Sequence, residues 1–568
     1  MAFTVFTLAW LLPNHYLPWV NFHSELLAFV AVGLLAVSLW RQSPGAVALP
    51  RVAVAAGLLA LLPWLHYAMG LVFFAGDAWV ASLYGLGFAL AVCLGYAGQG
   101  SAKYADAPPV FLTIAAAVLA AALLSAAMAW MQWQGVAATL TTFVTHIEAG
   151  ERAFANLGQP NQLGSLLLMG LVALAYFFQR GTFGKIGSSV ATVFLTWALV
   201  LTESRTALLS AGALAVFAAY KHYQYRSASD SAAGSKHATF ISPQAVVVWL
   251  LAYGATSVGL RLINRWFEIG AVRPTTLFED NGRWLGVQQM WAAIKEAPWL
   301  GYGWNQTTAA QAVGAPQYPG ELLLSNAHNL VLDVLVWVGL PLGVALSLAL
   351  GYWLVTRLAR VRSREAAYAM AMLLPLAVHS MLEFPYAYAY FLLTAGVLVG
   401  VVEAALDQHQ PPQRLGQLPK RWAWASLAVL TALGSYLSYE YILIEDDFRV
   451  ARFENLRVGR TPEDHVVPDV WMNTQLGALL ATLRLQASPE MSAAQVERLR
   501  KVSLRFGYRP LVYRYALVLG LRGDAAGASR QMQVVKGMFG PRYYANVTLD
   551  LRRLQAEKYP QLAAVLTP

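Results

Sequence analysis

The sequence is dominated by long apolar runs with almost no charge, such as VFLTIAAAVLAAALLSAAMAWMQW at residues 110–133. An α-helix needs about 20 such residues to cross the hydrocarbon core of a bilayer, and many of the runs reach that length. Only 12% of the residues are charged, whereas a soluble chain carries roughly 25%. The sequence therefore predicts an all-α polytopic membrane protein.

Thirteen of these runs are predicted to be transmembrane helices, and residues 1–441 are interpreted as the transmembrane domain. The runs cover residues 3–14, 24–40, 52–74, 78–98, 109–133, 160–179, 186–202, 205–220, 244–262, 328–356, 365–381, 384–404 and 422–441. The first run is short and ends at Pro13, a residue type that interrupts helices.

Basic side chains collect in every second loop. They are Arg41, Arg51, Lys103, Arg180, Lys185, Lys221, Arg226, Lys236, Arg357, Arg360, Arg362, Arg364, Arg414, Lys420 and Arg421. Because Lys and Arg accumulate in cytoplasmic loops, this side is predicted to face the cytoplasm. The net charge of +10 follows from this distribution and does not indicate a nucleic-acid partner. The large loop 263–327 and the C-terminal tail are then predicted on the outer side.

Residues 442–568 have more charge and shorter apolar runs, and they are predicted to form an outer α-helical domain. Amphipathic helices are predicted at 469–486, 491–506, 510–521, 524–539 and 541–557, separated by glycine and proline turn signals. A tetratricopeptide-like array and a plain helical bundle both fit this pattern, because no clean repeat of roughly 34 residues is present.

His328 lies in SNAHNLVLD, where the polar loop meets the next apolar run. A neutral imidazole at such a junction can take a proton from an attacking hydroxyl near neutral pH, so His328 is predicted to be a general base. The alternative is an interfacial histidine that only hydrogen-bonds a backbone carbonyl.

Two arginines occupy positions that suit an anionic substrate. Arg205, in LTESRTALLS, lies between apolar runs, where a charge is costly; the alternative is an arginine that pairs with Glu203 or reaches the headgroups. Arg283 opens a predicted amphipathic surface helix, whose N-terminus would attract an anion, although an ordinary solvated helix is the commoner case. The predicted caps of this helix are Asp280 or Asn281, and its predicted apolar face is Trp284, Val287, Trp291 and Ile294.

Further polar residues lie at predicted membrane boundaries. ERAFANLGQPNQLGS offers groups that either hydrogen-bond sugar hydroxyls and phosphate or only cap a helix: Arg152, Asn156, Gln159, Asn161 and Gln162. In HSMLEFPYAYAYFLL, Glu383 is an acid at a membrane edge that needs a partner, and His379 could serve. The tyrosines of this segment equally suit an aromatic belt at the interface: Tyr386, Tyr388 and Tyr390. Near the start, three residues are interpreted as structural or donor-lining: His15, His23 and Glu25.

Metal chemistry is not expected from this sequence. Cys93 is the single cysteine, which excludes an intrachain disulfide and a cysteine-based metal site. No P-loop, dinucleotide fingerprint or H-E-x-x-H motif is present. The acidic run Glu445-Asp446-Asp447 is interpreted as a solvated helix start rather than a cation site. No metal and no cofactor are therefore predicted.

Taken in order, these segments resemble the bacterial protein O-oligosaccharyltransferases of the PglL type, within the superfamily of O-antigen ligases and polymerases. The resembling segments are PNHYLPW, ERAFANLGQPNQL, LTESRTALL, NGRWLGVQQMWAAIKEAPWLGYGW, SNAHNLVLDVLVWVGLP and HSMLEFPYAYAYFL. Two positions depart from the pattern. Phe384 stands where the family usually has tyrosine, and Gln162 where the subfamily commonly has histidine.

The resemblance implies a GT-C-like membrane fold and transfer of a preassembled glycan from undecaprenyl pyrophosphate to Ser or Thr of a periplasmic acceptor such as a pilin. It implies an inner-membrane enzyme with its active site on the periplasmic face. It matches the family's essential histidine to His328 and its arginines to Arg205 and Arg283. The arginines would bind the pyrophosphate and His328 would activate the hydroxyl, with inversion at the anomeric carbon. The alternatives are an O-antigen ligase or polymerase with the same site, and a transporter of lipid-linked glycan without chemistry.

Overall fold

The computed structural model describes residues 1–42, 45–98, 110–140, 142–148, 150–230, 240–267, 282–407, 414–456, 458–459, 461 and 464–566. The helices are α1 Ala2–Leu8, α2 Phe22–Gln42, α3 Arg51–Leu59, α4 Leu62–Ala68, α5 Ala75–Ala97, α6 Val110–Trp133, α7 Pro160–Gln179, α8 Lys185–Leu201, α9 Arg205–Asp230, α10 Pro243–Phe267, α11 Arg283–Glu296, α12 Thr307–Gly314, α13 Leu330–Arg360, α14 Arg364–Ser380, α15 Ala389–Asp407, α16 Lys420–Asn455, α17 Thr474–Leu483, α18 Ala493–Phe506, α19 Arg509–Leu521, α20 Ala525–Glu557 and α21 Ala563–Leu566. Two short strands, β1 Val47–Pro50 and β2 Arg414–Leu418, pair antiparallel.

The helical membrane fold predicted from the sequence is confirmed. Within the described residues, 9 segments are long and apolar enough to cross a bilayer: α2, α3 with α4, α5, α6, α7, α10, α13, α15 and α16. Three further helices, α8, α9 and α14, occupy the positions of other predicted spans.

Two predicted boundaries were wrong. The first predicted span, 3–14, is instead the 7-residue helix α1, which rises only about 10 Å and cannot cross a bilayer. The last predicted span, 422–441, continues as one helix to Asn455. The acidic run Glu445-Asp446-Asp447 therefore lies inside α16, not after it, because the helical backbone continues beyond the apolar window.

The chain forms two compact units that alternate along the sequence, and the predicted domain boundary at 441 falls within α16. The first unit comprises 1–59, 84–276 and 351–431, and the second comprises 60–83, 277–350 and 432–568. Loop 263–327 is divided between them, and its part from 277 onward belongs to the second unit with the tail.

Small residues allow the helices of the first unit to pack closely. A Cβ added at Gly170 would lie 2.4 Å from Ala122 Cβ, and one added at Gly164 would lie 2.8 Å from Ala207 Cβ. Lipid and leucine are similarly apolar, so membrane helices associate through such close van der Waals contacts rather than through hydrophobic burial. The α6–α7 and α7–α9 crossings are fixed in this way.

Predicted cytoplasmic loops of the first unit contact one another in pairs. The Lys221 ammonium donates a 2.5 Å hydrogen bond to the Val361 carbonyl, and the Tyr225 hydroxyl donates one of 2.7 Å to the Arg362 carbonyl. The β1–β2 ladder, with Val47 opposite Leu418, joins two more of these loops. Each pair of loops was assigned to one side of the membrane from its charge, and the contacts agree with that pairing.

The helices predicted for the tail are present in the second unit. α18 begins with a capping box in which Ser492 and Gln495 exchange hydrogen bonds, and it ends at Gly507 with φ 62°. The two helices predicted at 524–539 and 541–557 are joined into α20, with a kink at Gly540, where φ is 79°. Only glycine adopts that backbone conformation at little cost, and Pro541 follows it.

The tail shares a hydrophobic core with the loop that precedes α13. Ala312 and Ala315 pack in one cluster with Val512, Met532 and other tail residues. The Gly320 amide donates a 2.7 Å hydrogen bond to the carbonyl of Gly537. A Cβ at Gly537 would approach the Ala315 carbonyl oxygen to 2.4 Å, so this position admits no side chain. The loop and tail are therefore one folded body.

Candidate active site

A chain of hydrogen bonds joins the start of α7 to the turn before α9 in the first unit. Asn161 Oδ1 accepts a 2.7 Å hydrogen bond from the Ser204 hydroxyl and a 3.4 Å bond from Arg152 Nη2. Arg152 Nε donates to the Thr202 carbonyl at 2.8 Å. Asn161 Nδ2 donates to Glu383 Oε1 at 3.2 Å. The structure thus brings together three of the predicted site residues, Arg152, Asn161 and Glu383.

Arg205 is the first residue of α9, directly after this network, and its side chain is exposed. Glu203, two residues earlier, has a φ of 45°, which is unusual for a residue other than glycine. The tight turn lets one short segment supply both the buried Ser204 and the exposed Arg205. A guanidinium at a helix N-terminus, where the helix dipole is positive, is suited to an anion.

Asn156 has a structural role in the loop before α7. Its Oδ1 accepts from the Thr145 amide at 2.8 Å, and its Nδ2 donates to the carbonyls of Leu11 and Phe143 at 2.7 Å each. His15 Nε2 lies 2.8 Å from the Asn156 carbonyl oxygen. These bonds use the donors of the amide, so Asn156 holds the loop rather than offering groups to a substrate. Gln159 precedes α7 as its N-cap residue without a side-chain capping bond.

Gln132, which the sequence did not single out, fixes the same loop from α6. Its Oε1 accepts from the Ala155 amide at 2.8 Å, and its Nε2 donates to the carbonyls of Thr145 and Ala155 at 2.8 Å each. Ala155 has a φ of 54°. Gln132 is buried, with 4% of its surface exposed, and such a group needs partners. The sequence signal that would have identified it is an amide side chain near the end of the apolar run 110–133.

The remaining predicted residues of this unit lie in α7 and around the turn between α14 and α15. His379 Nδ1 lies 2.9 Å from the Ser165 hydroxyl of α7. Gln162 Oε1 accepts a 2.8 Å hydrogen bond from the Tyr390 hydroxyl. The Tyr388 ring stacks between those of Phe384 and Tyr390, with centroid distances of 5.9 and 5.6 Å.

The predicted site residues of the first unit differ in their exposure to solvent. Asn161, Gln162, His379 and Glu383 are buried, whereas Arg152, Gln159 and Tyr388 are half-buried and Arg205 is exposed. Glu25, interpreted as structural or donor-lining, is buried and accepts a 2.7 Å hydrogen bond from Trp19 Nε1 as well as one from the Tyr84 hydroxyl.

His328 lies in the second unit, two residues before α13, and its side chain is half-buried. Its φ of 54° places it in the left-handed region. That conformation costs a residue other than glycine on the order of 1–3 kcal/mol and persists where the surroundings enforce it. The structure therefore holds His328 in a strained backbone position at the junction that the sequence indicated.

Buried polar side chains of α12 and α13 enforce this position. Asp333 Oδ1 accepts hydrogen bonds from the Ala327 amide at 2.9 Å and from the Thr307 hydroxyl at 2.8 Å. The Thr307 hydroxyl also accepts a 2.8 Å bond from Trp337 Nε1. Asp333 is wholly buried in the first turn of α13, where a carboxylate favours the helix N-terminus.

A second set of contacts holds the chain four residues earlier. The Leu324 amide donates to Gln311 Oε1 at 2.9 Å, and the Leu324 carbonyl accepts from the Thr308 hydroxyl at 3.1 Å. Gln311 Nε2 also donates to the Leu322 carbonyl at 2.7 Å. Gln311 and Thr308 carry no distinctive signal in the sequence, whereas an acid such as Asp333 within an apolar run is recognisable.

Arg283 is the first residue of α11 and is exposed, as predicted, but the N-cap differs from the prediction. Of the predicted apolar face, Ile294 is buried. Gly282 is the N-cap, with φ 75°, and Asp280 and Asn281 lie outside the described residues. The buried face contains Gly286, Gln289, Met290 and Ala293, whereas Trp284 and Trp291 are exposed. α12 covers the small-residue face, which leaves the tryptophans available to a membrane interface.

The acidic run in α16 is already engaged by protein groups. Asp447 accepts hydrogen bonds from Arg484 Nη1 and Nη2 at 2.7 and 2.8 Å, and its Oδ1 lies 2.5 Å from His465 Nε2. Asp446 pairs with Arg449 on the surface. The interpretation of this run as a solvated helix start is therefore wrong for Asp447, which is buried between α16 and α17 by its ion pair.

Comparison with known proteins gives three family matches along the chain. Residues 153–178 match the protein glycosylation ligase family, residues 190–347 match the O-antigen ligase family, and residues 367–553 match the C-terminal family of a virulence-factor membrane-bound polymerase. Nearly every candidate site residue falls within these segments, with Arg205, Arg283 and His328 all in the O-antigen ligase match.

Two similar proteins come from Acinetobacter baylyi. A general O-oligosaccharyltransferase is 29% identical over 516 residues, which cover 87% of this chain and 84% of that protein. A ComP-specific O-oligosaccharyltransferase is 27% identical over 254 residues, 44% of each chain.

The fold and these matches define a membrane-embedded glycosyltransferase. More particularly, the predicted resemblance to the protein O-oligosaccharyltransferases of the O-antigen ligase superfamily is confirmed.

Proposed function

We propose that this enzyme transfers a preassembled oligosaccharide en bloc from undecaprenyl pyrophosphate to Ser or Thr hydroxyls of periplasmic proteins such as pilins. The observation that carries the proposal is the likeness to a general O-oligosaccharyltransferase along 87% of the chain. That name describes transfer of an oligosaccharide to oxygen, and a lipid-linked donor suits an enzyme with many apolar helices.

In the proposed mechanism, His328 removes the proton from the acceptor hydroxyl. The hydroxyl oxygen then forms a bond to the anomeric carbon of the glycan, while the bond from that carbon to the pyrophosphate oxygen breaks on the opposite face. The configuration at the anomeric carbon is inverted, and undecaprenyl pyrophosphate leaves. The half-buried, backbone-constrained position of His328 supports this assignment, because a general base must be held at a fixed place yet reach solvent.

Arg205 and Arg283 are proposed to bind the pyrophosphate, each at the start of a helix and each exposed. A planar guanidinium forms two parallel hydrogen bonds to phosphate oxygens and stabilises the charge that grows as the pyrophosphate leaves. Because pyrophosphate is already a good leaving group, the mechanism requires neither a general acid nor a metal.

The enzyme is proposed to lie in the bacterial inner membrane with its active site on the periplasmic face. The charge of the loops supports this orientation. Contacts between predicted cytoplasmic loops occur at β1–β2 and between the α9 end and the start of α14. Contacts between predicted outer segments occur separately, at Asn161, Ser204 and Glu383.

The test is the intact mass of a pilin-like acceptor, co-expressed with a lipid-linked glycan pathway and with this chain. We expect a mass increase of one whole glycan with the wild-type chain and none with His328→Ala. An unmodified acceptor in the presence of correctly inserted wild-type protein would contradict the proposal.

A second function, O-antigen ligation or polymerisation, is favoured by the matches to the O-antigen ligase and membrane-bound polymerase families. Purified enzyme given the same lipid-linked donor and either the acceptor protein or lipid A-core separates the two functions. Transfer in detergent, where no second compartment exists, also separates an enzyme from a transporter of lipid-linked glycan.

A further inference from the structure

A cavity of about 760 Å³ lies in the first unit, lined by α7, α8, α9 and α10. It opens sideways between exposed apolar residues. Val193 of α8 and Val248 of α10 both line it, and they are 67% and 65% exposed. In a chain of membrane helices, apolar side chains exposed on this scale face lipid, so the opening faces the bilayer.

Most of the polar side chains that line the cavity lie at one end, where α7 ends, α8 begins and the chain enters α10. They are Gln179, Lys185, Ser188, Ser189 and Ser242. Ser188 is 9% exposed. Within the part of the chain that the structure describes, the Ser188 hydroxyl and Gln179 Oε1 are buried without a hydrogen-bond partner. Buried polar groups are rarely left so, and because both residues line the cavity, a molecule bound in it would satisfy them.

The threonines elsewhere in the cavity wall already have hydrogen-bond partners. Thr192 donates to the Ser188 carbonyl at 2.8 Å, and Thr196 donates to the Thr192 carbonyl at 2.7 Å while accepting from Trp249 Nε1 at 2.9 Å. Thr256 of α10 donates to the Ala252 carbonyl at 2.8 Å. The remaining residues deeper in the wall are apolar, among them Leu171, Ala175 and Phe217. The cavity is therefore amphipathic, with one polar end and an apolar shaft.

Its depth corresponds to one leaflet. Gln179 and Leu168, both in the lining, are eleven residues apart on α7, a rise of about 16 Å. That is about half of the ~30 Å hydrocarbon core. A chain that enters from the polar end would thus reach the middle of the bilayer.

We propose that this cavity binds one anionic phospholipid from the leaflet at the Lys185 end. The phosphate pairs with the Lys185 ammonium and accepts from the Ser188 hydroxyl, and Gln179 Oε1 accepts from a headgroup hydroxyl. One acyl chain fills the apolar shaft. The site is distinct from the proposed donor site, because Arg205 follows the opposite end of α8.

The experiment uses the full-length protein purified in a neutral detergent. Native mass spectrometry should find one retained phospholipid per chain, and added phosphatidylglycerol should raise the melting temperature at lower concentration than phosphatidylcholine does. Lys185→Glu should weaken the effect of phosphatidylglycerol at least about fivefold, the equivalent of one basic residue near an anionic surface. Ala175→Trp should fill the shaft and abolish retention.

Arg41→Glu is the matched control, since Arg41 is exposed in the last turn of α2 and does not line the cavity. It should leave lipid retention unchanged. Lys185 is also exposed, so its reversal does not threaten folding. Equal effects of the two phospholipids, unchanged retention in Ala175→Trp, or an equal loss in Arg41→Glu and Lys185→Glu would each overturn the proposal.

Discussion

Asp333 and Thr307 meet through a 2.8 Å hydrogen bond, donated by the Thr307 hydroxyl to the carboxylate. The same carboxylate oxygen holds the Ala327 amide, so the backbone immediately before His328 depends on a wholly buried acid.

Asp333→Asn should therefore lower turnover more than it lowers affinity for the lipid-linked donor. The neutral amide is a weaker acceptor for the Ala327 and Thr307 donors, and a poorly satisfied buried group costs about 1–3 kcal/mol. Steady-state transfer to an acceptor peptide measures both quantities. Glu296→Gln, an exposed acid at the end of α11, is the control and should behave as wild type. Unchanged turnover in Asp333→Asn would show that Asp333 does not position His328.

His328 itself is tested by two substitutions. His328→Ala should reduce the rate by about 10²–10⁴-fold, the usual contribution of a general base, with little change in donor binding. His328→Gln keeps hydrogen bonding and approximate size but does not take up a proton. If His328→Gln transfers glycan at the wild-type rate, the imidazole only positions substrate, and His379 and Glu383 become the next candidates.

Arg205→Lys and Arg283→Lys keep the positive charge but lose the planar fork that matches two phosphate oxygens. We expect a large loss of turnover in each, with normal membrane insertion. Arg449→Lys, whose side chain is 70% exposed beside Asp446, serves as the control. Wild-type turnover in either variant would assign that arginine a structural role.

Transfer should also survive excess EDTA, because the proposed arginines supply the positive charge at the pyrophosphate. Loss of activity that Mg²⁺ or Mn²⁺ restores would refute this mechanism. Asp447 would then be a poor choice of ligand, because releasing it requires breaking its buried pair with Arg484.

Membrane orientation can be tested with a reporter that is active only in the periplasm. Fused after Gly459, beyond the end of α16, it should be active, and fused after Asp230 it should be silent. The reverse result would put every proposed site residue in the cytoplasm.

Sequence patterns predicted the helices and the junction at His328 because both depend on local composition. Apolar length defines α6 and α7, and the Gly540-Pro541 pair marks the kink of α20 within one residue. The first span failed for the same reason: apolar residues continue to Leu12, but the helix ends at Leu8.

Gln132 was missed, and the pairing of Asn161 with Glu383 was not predicted, because both roles depend on contacts between residues far apart in the chain. Gln132 and Ala155 are 23 residues apart, and Asn161 and Glu383 are 222 apart. No periodicity within a single segment shows which buried amide will face which distant backbone group. Asp333 and Gln132 each have a local signal, since an acid within LVLDVLVW or an amide near the end of an apolar run requires partners, but that signal does not identify the partner.

The contact between Gly320 and Gly537 has a consequence for how such enzymes diverge. Because a side chain at Gly537 would meet the Ala315 carbonyl, the tail and the loop before His328 must change together. A chimera that exchanges only the tail between two relatives would pair mismatched surfaces in the loop that leads to the proposed base. The segment from α11 to His328 and the tail are separate in the sequence, but we expect them to be exchanged between relatives only as one unit.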